Sequence, residues 1–292
     1  MNGFLNMLKP PGMTSAGLAG LCRRLTGEKR VGHAGTLDPE AAGVLPVMVG
    51  RATKLFDYLV EKEKTYVAEV AFGASTDTMD AEGRVLETGD RYPDESAVRE
   101  AARKLEGDII QHPSMYSAIK KDGKPLYRLA RAGAEVEVPE RRVHVESLEV
   151  LRALPDHGWM IRVRCGRGTY IRSLCDDLGR LCGCPAHMRF LLRTATGVFD
   201  VETALTLEEL GEMEKNGCLE KALIPMDRPL FHLPEARVCE KSTSRVLNGV
   251  PLGMEELESG SVDGLTRMYL KDRFLGLARR EEDRIVFRVL FS

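Results

Sequence analysis

The sequence lacks the motifs that mark most cofactor-dependent enzymes. It has no G-x-x-x-x-G-K-[ST] phosphate loop, no G-x-G-x-x-G dinucleotide fingerprint and no G-x-S-x-G nucleophile elbow. DAEGR after Asp80 is too short for a calcium loop. Working as an enzyme, the chain is expected to need no ATP, nicotinamide or metal. No apolar run approaches the roughly 20 residues of a membrane span. The opening MNGFLNMLKPPGMTS carries no basic segment followed by a sustained apolar core, so no secretory leader is expected. A cytoplasmic location with no membrane contact is the expectation. Internal repeats and low-complexity tracts are also missing.

Aromatic residues reach only 6%, while 43% of the 292 residues are hydrophobic and 29% charged. That is the composition of a soluble globular protein with a real core, in one large domain or two. Seven cysteines at irregular spacing do not form a disulfide framework. Cys175, Cys182, Cys184 and His187 lie close enough to raise zinc. Their Cys-x-Cys differs from the usual pairs spaced about two to four residues apart, so reduced structural thiols are expected.

Net charge is only −2, but the charge is segregated. Arg23, Arg24, Lys29 and Arg30 form one basic cluster. Lys120, Lys121, Lys124, Arg128 and Arg131 form a second, and Arg162, Arg164, Arg167 and Arg172 a third. Acid collects elsewhere, as in EELES and the stretch after Leu207. A basic, phosphate-binding face is therefore possible on an acidic protein. For any single cluster, ordinary solvated surface charge is the better reading.

LKPPGMTS is a loop, and Thr14 or Ser15 can cap the helix SAGLAGLCRRL. PEAAGVLPVMVG reads as a short helical turn entering a buried strand, and ATKLFDYLVEKE as helix. KTYVAEVAF alternates, with Tyr66, Ala68, Val70 and Phe72 on one face. ESAVREAARKLEG reads as a helix ending at Gly107. Residues 112–142 form a basic, turn-rich excursion with one short helix, PLYRLARAG. VHVESLEVLRAL and GWMIRVRCG read as strands, TYIRSLCDDLGRLCG as a helix closed by Gly183, and FLLRTATGVFD as strand and turn. LTLEELGEMEKNG is helical. IPMDRPLFHLPEARV, with three prolines, reads as a linker. VLNGVPLG, LTRMYLKDRFLGLARR and DRIVFRVLF read as short strands of a small unit that packs on the first.

Asp38 lies in GHAGTLDPEAAG, a Gly-rich turn. Preceding a proline, it is pushed off helical backbone, and Asp-Pro-Glu-Ala makes a good helix cap. Spacing alone favours the cap. Arg172 follows the Gly-Arg-Gly of GRGTYIRSL, and arginine suits bidentate pairing with carboxylate or phosphate. Tyr66 on a buried strand face is ordinarily core, with its hydroxyl satisfied.

Together these segments resemble the TruB family of tRNA pseudouridine-55 synthases. HAGTLDPEAAGVLPV is similar to the family signature. LKPPGMTS, KTYVAEVAFGASTDTMDAEG, RCGRGTYIRSLCDDLG and HMRFLLRTATGVF are similar to its Lys-Pro, tyrosine, arginine and leucine-arginine motifs. HPSMYSAIKKDGKPLYRLARAG resembles its thumb-like insertion. The order holds from about residue 4 to residue 203.

The resemblance implies an α+β pseudouridine synthase fold: a mixed, largely antiparallel sheet flanked by helices. Residues 1–233 would form the catalytic domain, with the insertion at about 112–142, and residues 234–292 a small PUA-like RNA-binding β-barrel. It implies Asp38 as nucleophile, Tyr66 against the target base for proton transfer, and Arg172 paired with Asp38, holding it ionised and aimed. Leu191 would pack in the site, Lys9 and Pro10 would support its floor, and His33 would enter the RNA where the base leaves its stack. Tyr170 and Arg193 would contact substrate. Where the family commonly has two arginines, this chain reads Leu191-Leu192-Arg193-Thr194, so the first arginine's RNA contact does not carry over.

The implied reaction converts uridine 55 in the T-arm stem-loop of tRNA to pseudouridine, without cofactor, metal or obligate protein partner, by a monomer. One carboxylate suffices because no water is activated, unlike glycoside hydrolysis. A guided synthase of the dyskerin type and a tRNA-binding or tRNA-folding protein are the competing expectations. The short carboxyl-terminal unit argues against the first, and the Asp38, Tyr66 and Arg172 set argues against a purely non-catalytic role.

Overall fold

A computed structural model describes residues 1–59, 63–117, 119–121, 123–131, 136 and 138–291. Strand β1 (Gly3–Lys9) is buried along nearly its whole length. Helix α1 (Ser15–Thr26) begins where Thr14 Oγ1 accepts the Gly17 N–H at 2.9 Å, and Gly27 ends it at φ 66°. Strands β2 (Val31–His33) and β3 (Ala42–Val49) follow. The helical turn expected after Asp38 does not form. Ala41 N–H donates to the Asp38 carbonyl at 3.1 Å, closing one tight turn, and β3 starts at the next residue. The valines at 44, 47 and 49 favour strand, and the register with β1 holds them there.

Residues Gly50–Tyr58 coil as a 3₁₀ helix. Strand β4 (Lys64–Phe72) buries Tyr66, Ala68, Val70 and Phe72, as the alternation predicts. A hairpin of β5 (Ala74–Thr76) and β6 (Val85–Thr88) precedes α2 (Glu95–Lys104). Helix α2 stops short of Gly107. That glycine, at φ 85°, instead opens β7 (Gly107–Gln111).

The excursion holds β8 (Lys120–Lys121), β9 (Lys124–Pro125) and the short helix α3 (Leu126–Arg131). Residues 132–135 and 137 of it, and the side chains of its basic cluster, lie outside what is described. Strands β10 (Arg141–Ala153) and β11 (Gly158–Cys165) lead to α4 (Ile171–Cys182), which Gly183 closes at φ 67°. Then come β12 (Ala186–Thr196), β13 (Phe199–Asp200) and α5 (Leu207–Lys215).

The main sheet runs β1-β3-β12-β4-β11-β10-β7, with β2 and β13 attached to β3 and β12. Only the β3–β12 pairing is parallel. The sheet is mixed and largely antiparallel, and α1, α2 and α4 pack on it. Strand β12, late in sequence, inserts between β3 and β4. That insertion brings the Asp38 loop and Tyr66 to one place.

A second sheet is built from β14 (Glu235–Val238), β15 (Leu257–Ser259), β16 (Thr266–Leu270), β17 (Arg273–Glu281) and β18 (Arg284–Leu290). Its order is β15-β14-β16-β17-β18, an open path among the described residues; no closed barrel forms. VLNGVPLG is not a strand. Its start is the end of helix α6 (Thr243–Leu247), and Gly249 turns the chain at φ 72°.

The proline-rich segment before β14 is not a free linker either. Ile224 exchanges two backbone hydrogen bonds with Phe4, at 2.9 and 2.8 Å. Tyr269 Oη donates to Asp227 Oδ2 at 2.8 Å. Leu230 is fully buried in a cluster joining Phe4 and Phe199 to Leu277, Val289 and Phe291. Apolar side chains on both sides of the prolines drive this burial.

Candidate active site

The Asp38 loop is pinned from behind. Ser15 Oγ donates to the Leu37 carbonyl at 3.0 Å and accepts the Leu37 N–H at 2.9 Å. Lys9 is fully buried, and its ammonium donates to the carbonyls of Pro10, Pro39 and Ala41 at 2.8, 2.7 and 2.7 Å. All three of its N–H groups are used. The residues on either side of Asp38 are therefore fixed while its side chain stays 43% exposed. A capping carboxylate would have turned inward to a helix start. This one faces a cavity.

Arg172 sits in the first turn of α4 with its side chain 9% exposed. Its Nε lies 3.1 Å from Asp38 Oδ2. Nη1 donates to the Thr78 carbonyl at 3.1 Å and to Asp80 Oδ2 at 3.2 Å, and Nη2 to the Tyr116 carbonyl at 3.1 Å. Asp80 Oδ1 in turn accepts from Thr78 Oγ1 at 2.5 Å and Glu82 N at 3.1 Å. The guanidinium is thus locked by a hairpin and a loop, and can hold Asp38 in one orientation.

A cavity of about 200 Å³ opens beside this pair. Asp38, Tyr66, Tyr170, Arg172, Leu191 and Arg193 line it, with Lys64 and glycines 35, 166 and 168. Among the described residues no carboxylate besides Asp38 lines it; Asp80 stands behind Arg172.

Tyr66 is 7% exposed, and burial pushes its phenol up, opposed by the positive charge of Arg193. Tyr170 is held by its backbone: Gln111 Oε1 accepts its N–H at 2.9 Å and Gln111 Nε2 donates to its carbonyl at 3.1 Å. Burial raises the Tyr170 phenol as well. Leu191 projects from β12 opposite Ala68.

Six of the nine expected site residues therefore share one cavity. Lys9 and Pro10 lie behind it. His33, at the end of β2, contacts the Gly35 carbonyl through Nδ1 at 3.2 Å and is not among the lining residues. Burial lowers its imidazole, favouring the neutral ring. Arg193 is fully buried and forms part of the cavity floor.

Lys64, Asp80, Ser15 and Gln111 were not anticipated. Lys64 was within reach of strand alternation, since it stands two positions before Tyr66 on the same face. Burial lowers its ammonium, and Arg193 and Arg167 add to that.

The third basic cluster does not form a free basic face. Arg162 pairs with Glu149 at 2.9 Å, its cross-strand neighbour, and Arg164 with Glu63 at 2.8 Å. Among the described residues no three His, Cys, Asp or Glu side chains gather as a metal site, and all seven cysteines are free.

Comparison with known proteins gives these features a context. Two solved structures are among those that match 99% of the chain. One, an H/ACA RNP bound to a substrate RNA containing 2′-deoxyuridine, has a TM-score of 0.76 at 25% identity over 85% of its chain. The other, a Cbf5–Nop10–Gar1 complex, has a TM-score of 0.75 at 28% identity over 84% of its chain. The fold is that of the pseudouridine synthases.

A family model described as TruB family pseudouridylate synthase (N terminal domain) matches residues 23–171. One described as tRNA pseudouridylate synthase B C-terminal domain matches residues 172–230. The tRNA pseudouridine synthase B of Alkaliphilus oremlandii is 45% identical over 85% of this chain and 82% of that protein. That of Bacillus subtilis is 42% identical over 90% and 87%. That of Clostridium kluyveri is 39% identical over 97% and 96%. The chain belongs to the TruB family of pseudouridylate synthases.

Proposed function

We propose that the protein isomerises uridine 55 in the T-arm stem-loop of tRNA to pseudouridine, with Asp38 as nucleophile. The observation that carries this is the Asp38 carboxylate, held 3.1 Å from Arg172 Nε and facing a cavity that no second carboxylate among the described residues lines. Hydrolysis of a glycosidic bond needs a second group to activate water. An isomerisation does not. The N1–C1′ bond breaks, C1′ bonds to C5, and one proton passes from C5 to N1. Asp38 meets the electrophilic carbon, and Arg172 keeps it aimed.

The target base leaves its stack at a cost of a few kcal/mol. Tyr66, Tyr170 and Leu191 offer the extruded ring apolar and aromatic surface. His33, outside the cavity and neutral, fills the gap left in the RNA. The exposed Arg24, Lys29 and Arg30 meet phosphates. Relatives 39–45% identical that carry the name tRNA pseudouridine synthase B support the choice of tRNA. Residues 1–233 act as the catalytic unit. Residues 234–292 act as a PUA-like RNA-binding unit, and the protein works as a cytoplasmic monomer.

The test is to incubate the protein alone with an unmodified tRNA transcript and map pseudouridine along it. Pseudouridine confined to the T-loop uridine is expected. No product, or product only when a guide RNA is added, would remove this function.

A further inference from the structure

Arg193 is fully buried. On β12 it stands directly opposite Tyr66 of β4 and beside Gly43 of β3. Its Nε donates to the Val44 carbonyl at 2.8 Å, and it lines the same cavity as Tyr66. Its Nη2 is buried with no partner among the described residues. Gly35, at φ 94°, brings the Asp38 loop so near that a Cβ there would lie 3.5 Å from Arg193 Nη1.

A cation enclosed with an unused donor is costly. Joining three strands does not require one, since an aliphatic side chain would fill the space. The charge belongs to the cross-strand neighbour of Tyr66, and both side chains line the cavity.

We infer that Arg193 is the positioning residue for Tyr66 and stabilises the phenolate that Tyr66 becomes midway through the isomerisation. This rests on the function proposed above. When the N1–C1′ bond breaks, its electron pair stays on N1, and the Tyr66 hydroxyl supplies the proton that N1 takes. After C5 bonds to C1′, the C5–H bond breaks. Its proton returns to the Tyr66 oxygen, and its electron pair restores the ring double bond. One proton has moved from C5 to N1, and Tyr66 ends as it began. Between the two transfers Tyr66 carries a negative charge that burial, Cys165 and the Asp38 carboxylate oppose and the guanidinium offsets.

The test compares Arg193→Gln, which keeps hydrogen-bond donors but not the charge, with Arg193→Lys, which keeps the charge. Each is assayed on a T-arm stem-loop RNA, with rates normalised to enzyme that binds it. The glutamine variant is expected to lose about 100-fold in kcat with KM and RNA affinity near wild type, and the lysine variant no more than about tenfold. Arg193→Met carries the glutamine expectation if that variant does not fold. Equal losses in the lysine and neutral variants, or a loss confined to KM, would overturn the inference. Wild-type enzyme that forms no pseudouridine would overturn the proposed function itself. Active wild type with indifferent Arg193 variants removes only the role of Arg193.

Discussion

At the scale of the residue, Lys9 shows how the site is held. Its ammonium satisfies three carbonyls around the Asp38 turn, yet burial lowers its pKa from 10.5 to about 8. Between those values the unfolded chain binds more protons than the folded one, so this group's contribution to stability rises with pH from about 8 to 10.5 and is flat below. Urea midpoints of wild type and Lys9→Met should therefore diverge in favour of wild type across that window, by on the order of 3 kcal/mol. A difference that does not change with pH contradicts a buried ammonium. Spacing alone reads Asp38 as a helix cap; the family resemblance singles out Asp38, Tyr66 and Arg172 together. Asp80 is not legible. It reaches Arg172 from a hairpin 92 residues away in sequence, and no spacing rule connects the two. The burial of Arg193 is equally hidden, because it depends on β12 threading between two earlier strands.

At the scale of the element, the β3–β12 junction joins the Asp38 loop to Tyr66. Gly43 makes it possible. Its φ is 119°, and a Cβ there would land on the backbone oxygen and nitrogen of Arg193. Gly43→Ala is expected to cost about 3 kcal/mol and to lower the melting temperature and the activity together. Gly20→Ala in α1 meets open space and is expected to stabilise by about 0.5–1 kcal/mol. Thermal melts of the two variants read both signs, and equal effects contradict the close approach. Long periodic elements such as β4, α4 and α5 are legible because each satisfies its own backbone and buries one face. The turn after Asp38 and the end of α2 are not. After Asp38 a tight turn and β3 take residues whose local preference is helical, and α2 ends at Lys104, before Gly107 opens β7; strand pairing is invisible from nearby residues. VLNGVPLG fails for the converse reason: its apolar spacing suits a short helix and a strand equally.

At the scale of the whole molecule, the two sheets share an apolar cluster, and basic residues are used unevenly. Arg162 and Arg164 are neutralised by acid, whereas Arg24, Lys29 and Arg30 stay exposed. If those three meet phosphates, replacing all of them with glutamine should lower the slope of log affinity against log salt by about 2 to 3. An unchanged slope places the RNA backbone elsewhere. The segregation of charge is legible in the sequence; which clusters remain free is not, because cross-strand register decides it.

The central claim is that one aimed carboxylate performs the isomerisation. It is tested most directly by comparing wild type with Asp38→Asn on a T-arm stem-loop containing a single target uridine, measuring RNA binding and single-turnover pseudouridine formation on the same samples. Wild-type affinity with no pseudouridine is predicted for the variant, since asparagine fills the same space but cannot act as the nucleophile. Pseudouridine formed at a rate near that of wild type would contradict the account.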